Sequence, residues 1–172
     1  RRQRQMCIRD RNMDGIVYFF KRSTVTDWNT VKSWVESGTR RIFVHGVTYR
    51  MQNAPFSYFR RNSNTGDYIK VMIADNEIYP LANKTYTFGT GMNNLQVFSN
   101  ISPPSGWTSR TLVNLYVGVD VYPHIIELTH TASGGKVIFM GNYQMGMPRN
   151  VFLPEWWWAV MLFQYPIMKR LN

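Results

Sequence analysis

The spacing of apolar and polar positions predicts a chain built mainly from short strands. Apolar and β-branched runs alternate with glycine, proline, asparagine and serine, which interrupt strands and form turns. The runs predict strands over residues 16–21, 42–44, 47–49, 68–74, 78–79, 85–88, 95–98, 111–119, 125–131, 136–140 and 151–153.

Two segments have the pattern of β-hairpins. In residues 38–51, His45-Gly46 stands between two apolar runs, where Gly46 takes a positive φ at no steric cost. In residues 125–140, Ser133-Gly134-Gly135 separates two further runs. Asp120 and Pro123 predict a break between this second hairpin and strand 111–119.

One segment, residues 26–37, has helical periodicity. Trp28, Val31, Trp34 and Val35 recur on one face, and Thr26 stands where an N-cap is expected, with Asp27 in the first turn. Gly38 fits the C′ position, and the apolar face is expected to cover the first hairpin. The sequence therefore predicts a mainly β fold, an antiparallel β-sandwich or jelly-roll-like domain with one short helix packed near a β-hairpin.

The two ends of the chain differ from this domain in their sequence pattern. Residues 5–11 resemble a translated sequencing-library adapter. Read back into codons, they give CAG-ATG-TGT-ATA-AGA-GAC-AG, which matches a transposon end used to tag DNA. The alternative is a native basic arm. We expect residues 1–11 to be non-native and 12–153 to form a single β-rich domain. Residues 154–172 are apolar and fit a buried closing element, an oligomer contact or a frameshifted end.

Charge and cysteine content then narrow the function classes. The net charge is +10, and residues 1–11 contribute +4 of it through five arginines and one aspartate, so the remainder carries +6. That excess does not require a nucleic-acid partner. The only cysteine, Cys7, lies in the adapter-like segment, so the rest of the chain has neither disulfides nor thiol chemistry. No apolar run reaches the roughly 18 residues of a membrane span.

Catalytic and metal-binding patterns are weak. On a strand, His124 and His130 share a face while Glu127 points to the other, and the two histidines are about 20 Å apart at the usual rise per residue. The sequence contains no G-x-S-x-G elbow, P-loop or dinucleotide fingerprint. These observations favour a non-catalytic protein with neither cofactor nor metal.

Five residues are candidates for a ligand or partner surface: Trp107, Tyr58, Phe59, Arg60 and Arg61. Aromatics beside paired arginines are able to stack single-stranded nucleic acid, although the same pattern also occurs at a solvated strand end, which we favour here. Trp107 follows a Pro/Ser/Gly loop and is either an exposed recognition residue or an anchor on the core; we favour the anchor.

The sequence pattern of residues 26–51 and of the glycine-rich loops resembles that of virion surface proteins of bacteriophages, namely tail-fibre and capsid-associated domains. The resemblance implies a β-rich, oligomeric module on a particle or outside the cell, which binds host glycans or neighbouring virion subunits. The alternatives are a carbohydrate-binding domain of a larger hydrolase and a capsid jelly roll that contacts nucleic acid.

Overall fold

The computed structural model describes residues 16–18, 26–38, 40–45, 51–72, 85–89, 91, 93 and 95–140. Within these residues, eleven strands and one helix follow the order β1 (Ile16–Tyr18), β2 (Thr26–Asp27), α1 (Trp28–Glu36), β3 (Arg41–His45), β4 (Met51–Gln52), β5 (Ser57–Arg61), β6 (Tyr68–Val71), β7 (Thr85–Thr87), β8 (Leu95–Ser99), β9 (Trp107–Val117), β10 (Asp120–His130) and β11 (Lys136–Met140). The predicted mainly β, sandwich-like fold with one short helix is confirmed. The predicted strands 78–79 and 151–153 lie outside the described residues, as do the two terminal segments.

A seven-stranded sheet in the order β1-β3-β11-β10-β9-β6-β7 forms the larger layer. The strands from β11 to β7 pair antiparallel, whereas β3 pairs in parallel with both β1 and β11. Strands β5 and β8 form a separate antiparallel ribbon, and β2 and β4 form a short parallel pair. The sheet is therefore mixed at one end.

The predicted first hairpin is wrong in its pairing. Strand β3 lies between β1 and β11, and Phe43 to His45 are paired on both edges. A following strand therefore has no free edge of β3 to pair with over these residues. Residues 46–50, which include the predicted turn, lie outside the described residues.

The second hairpin is confirmed, and its first strand is longer than predicted. Strands β10 and β11 pair antiparallel from Ile125↔Met140 to Thr129↔Lys136. The predicted break at Asp120 and Pro123 is wrong, because β10 begins at Asp120 and pairs with β9 through this region. The register shifts between Pro123 and Ile125, so a bulge accommodates the proline.

The N-cap lies one residue later than predicted, and the helix begins at Trp28. Asp27, rather than Thr26, is the N-cap: its Oδ1 accepts a hydrogen bond of 3.0 Å from the backbone of Asn29. Gly38 follows the C-cap Ser37 without entering the left-handed region that a C′ glycine usually adopts. Among the described residues, no helix is long and apolar enough to cross a membrane.

The main core lies where the helix and the β5–β8 ribbon pack on the large sheet. Trp28 is at its centre, with ring centroids 5.4 Å from Trp107 and 5.8 Å from Phe139. Phe56 contacts Phe139 at 4.8 Å, which links the segment before β5 to β11. The helix thus packs against the sheet that contains β3 rather than against a separate hairpin.

Candidate contact surface

Strand β5 carries four of the five predicted contact residues. It pairs with β8 so that Tyr58 stands opposite Phe98 and Phe59 opposite Val97. Tyr58 packs against the main core, and burial raises the pKa of its phenol. Phe59 remains 38 % exposed and meets Tyr122 of β10 edge-on, at 5.5 Å between ring centroids. The ribbon therefore contacts the large sheet through an aromatic pair that is open to solvent on one side.

Arg61 connects the same two layers through polar contacts. Its guanidinium lies 2.9 Å from a carboxylate oxygen of Asp120 and 5.0 Å from the ring centroid of Tyr122. The Tyr122 hydroxyl donates to the same Asp120 oxygen at 3.0 Å. The hydrogen bond to Asp120 raises the pKa of Arg61. These contacts fix the positions of three polar side chains at one end of the sandwich.

The turn between β9 and β10 adds an exposed apolar residue to this end. Gly118 adopts a φ of 58°, and Val119 beside it is 97 % exposed. We call this region the hairpin-end surface and define it by Phe59, Arg61, Val119, Asp120 and Tyr122. Burying Phe59 and Val119 against a partner would be favourable at about 25 cal/mol per Å² of apolar area.

Trp107 does not belong to the hairpin-end surface. It is 5 % exposed, packs edge-on against Trp28 and donates from its indole nitrogen to Glu36 at 2.8 Å. It also begins β9 rather than lying in a loop. Of the two sequence-based interpretations of Trp107, the structure supports the core anchor.

Glu36 receives a second contact from Lys32, one helical turn earlier, at 2.8 Å. Hydrogen bonds from Lys32 and then Trp107 hold the pKa of Glu36 below its ordinary value of 4.5. A carboxylate with a depressed pKa stabilises the fold above its unfolded pKa, and this contribution is lost as the pH falls through the folded pKa.

We therefore expect Glu36→Gln to reduce the acid sensitivity of the protein. The urea midpoint should fall less steeply in the variant than in the wild type between about pH 5 and pH 3. The glutamine still accepts from Trp107, so the two curves should differ mainly in slope below pH 5. Parallel curves over this range would contradict the assignment.

The two histidines of β10 have structural partners. The Nδ1 atom of His124 donates to the backbone oxygen of Gln96 at 2.7 Å, which ties β10 to β8. The Nδ1 atom of His130 lies 2.9 Å from the hydroxyl of Ser133 in the turn before β11. Glu127 is ion-paired with Arg110 at 2.9 Å. The described residues contain no group of three His, Cys, Asp or Glu side chains that could hold a metal ion.

Sequence reasoning found β5 but missed its partners on β10. The proline pattern predicts a break over Asp120 and Tyr122, whereas these residues form the first pairs of the β9–β10 ladder, directly after the turn. The alternation of valines with Asp120 and Tyr122 over residues 119–122 was the available signal. No protein-family model, curated protein or solved structure matches the chain.

Proposed function

We propose that the chain is a non-catalytic structural or surface-binding module of a bacteriophage virion. In this proposal the hairpin-end surface contacts neighbouring copies of the chain on the particle. The observation that carries the proposal is the placement of Phe59 and Val119, two exposed apolar side chains, around a fixed Arg61–Asp120–Tyr122 cluster. Contact surfaces combine such an apolar part with a polar part that sets orientation.

Further support for a non-catalytic role comes from the histidine and glutamate side chains of β10, which are residue types that often act as general acids or bases. His124 and His130 each contact a second structural element, and Glu127 forms an ion pair. Such contacts favour a role in holding the fold. The virion setting rests on the resemblance of pattern in residues 26–51.

The nucleic-acid alternative draws less support from the same site. Arg61 is paired with Asp120, which compensates its charge, and it covers one face of the Tyr122 ring. Stacking of bases needs open aromatic faces beside uncompensated cations. If this alternative held, the chain would bind single-stranded DNA with a steep dependence on salt.

Native mass spectrometry tests the proposed role. We expect trimers or larger species, and we expect the double variant Phe59→Ser, Val119→Ser to weaken assembly at least about tenfold, or about 1.4 kcal/mol. Met72→Ser is the matched control, because Met72 is as exposed as Phe59 but lies outside the hairpin-end surface. A wild type that stays monomeric at all concentrations would contradict the proposal.

A carbohydrate-binding domain is the second candidate function. It is favoured by a different observation on the large sheet. Tyr68 of β6 and Tyr116 of β9 are paired and stacked, and Lys70 and Asn114 are paired beside them. A domain of this kind would stay monomeric and bind a glycan.

A further inference from the structure

The outer face of the large sheet carries an aromatic and polar patch that the sequence patterns did not single out. Tyr68 pairs with Tyr116, Tyr116 with Val121, and Lys70 with Asn114. Directly paired residues share a face, and so do residues two apart on one strand. These five side chains therefore lie together on one face. The opposite face is buried, as Ile69, Val71, Val113 and Leu115 show.

We call this patch the tyrosine face and define it by Tyr68, Lys70, Met72, Asn114, Tyr116 and Val121. Its apolar part is partly open to solvent, because Val121 is 48 % and Met72 is 38 % exposed. Strand β7 extends the face with the exposed hydroxyls of Thr85 and Thr87, which pair with Lys70 and Tyr68. The paired rows run across four strands, which at about 4.8 Å per strand spacing is roughly 14 Å.

The two tyrosines form a fixed aromatic ridge. Their rings are stacked with centroids 4.5 Å apart and planes 11° from parallel. The Tyr116 hydroxyl also lies 3.9 Å from the sulfur of Met72. Little side-chain entropy remains to be lost when a ligand packs against a ridge that is already ordered.

Polar groups beside the ridge are available to a ligand. Within the described part of the chain, the Lys70 ammonium, the Asn114 amide and the Tyr68 hydroxyl have no hydrogen-bond partner. Lys70 and Asn114 are half-buried and stand directly opposite each other on β6 and β9. Half-buried polar groups of this kind are satisfied by water or by a bound molecule.

The charge on the face indicates the class of ligand. Lys70 is the one charged residue among those that define the tyrosine face, and none of them is acidic. We propose that the tyrosine face binds an oligosaccharide that carries a carboxylate, either a uronic acid or a sialic acid. The sugar carboxylate pairs with Lys70, hydroxyls bond to Asn114 and Tyr68, and the C–H surfaces of the rings pack on Tyr116, Met72 and Val121. From the proposed function this inference takes only that the chain is a binding module.

A glycan array with the full chain tests the proposal, using sialylated, uronate-containing and neutral oligosaccharides as probes. We expect binding to at least one carboxylated class, with the methyl esters of the same sugars bound more weakly. Lys70→Gln should weaken binding to the carboxylated glycan at least about tenfold, since an ion-assisted hydrogen bond is lost, and Asn114→Ala should weaken it about three- to tenfold. Asn29→Ala, an exposed asparagine on α1, is the matched control and should leave binding unchanged.

Each variant is first checked for an unchanged thermal midpoint, so that lost binding is not confused with unfolding. Exclusive binding to neutral glycans, or equal binding by Lys70→Gln and the wild type, would overturn the inference. So would a glycan whose binding is lost only with Phe59→Ser, Val119→Ser. A monomeric chain that binds carboxylated glycans through Lys70 would reject the virion-assembly proposal and keep the glycan site.

Discussion

Replacing Trp28 by alanine should lower the free energy of unfolding by about 3–5 kcal/mol. Trp28 begins the helix and is 2 % exposed. Its ring lies against Trp107 from β9 and Phe139 from β11, so one side chain fills the space between the helix and two strands. Loss of the indole removes this apolar burial and leaves a cavity that a sheet and a helix cannot fully close.

The measurement is urea unfolding followed by far-ultraviolet circular dichroism, with Asn29→Ala as the control. Asn29 is the next residue on the same helix and is exposed, so its side chain contributes little packing. We expect that control to change stability by no more than about 0.5 kcal/mol. A Trp28→Ala variant within the same range as the control would show that the helix does not hold the core as described.

Gly135→Ala should cost about 1–3 kcal/mol, because the site has no room for a methyl group. A Cβ atom at Gly135 would lie 2.6 Å from Cγ1 of Val35, 2.9 Å from the Val35 backbone oxygen and 3.0 Å from the Arg40 backbone oxygen. Two of these three atoms belong to the backbone, so a change of side-chain rotamer cannot relieve the clash. The end of the helix would have to move away from the start of β11.

Gly38→Ala is the matched control for this substitution. The nearest atoms to a Cβ at Gly38 belong to the Arg40 side chain at 3.8 and 3.9 Å, which is ordinary van der Waals contact. We expect a change within about 0.5 kcal/mol in thermal or urea unfolding. Equal stability of the two alanine variants would contradict the close approach at Gly135.

The close packing of the end of α1 against the turn before β11 also explains the serine in that turn, Ser133. The hydroxyl of Ser133 accepts from the backbone of Gly135 at 3.1 Å and donates to the Val35 backbone oxygen at 3.3 Å. The turn before β11 therefore both shapes the hairpin and satisfies the carboxyl end of α1. The Ser-Gly-Gly signal was correctly predicted as a turn, but its second role depends on a helix about 100 residues earlier in the chain.

In the candidate contact surface, too, the sequence indicates single residues, whereas only the tertiary structure shows their partners. The run Tyr58 to Arg61 was visible in the sequence as aromatics beside arginines. Arg61 contacts Asp120 and Tyr122, which lie 59 or more residues later in the chain. No local sequence pattern specifies these contacts. The tyrosine face was equally hidden, because Tyr68 and Tyr116 become neighbours only through the register of β6 and β9.

The sequence by itself determined the kind of elements: short strands, one amphipathic helix and the Ser-Gly-Gly hairpin, since period and turn chemistry depend on neighbouring residues. The tertiary structure decided which strands pair. It placed β3 in parallel between β1 and β11, and it carried Pro123 through β10 by a bulge. Strand order and register follow from the burial of both layers at once, and that is a property of the packed chain rather than of any segment.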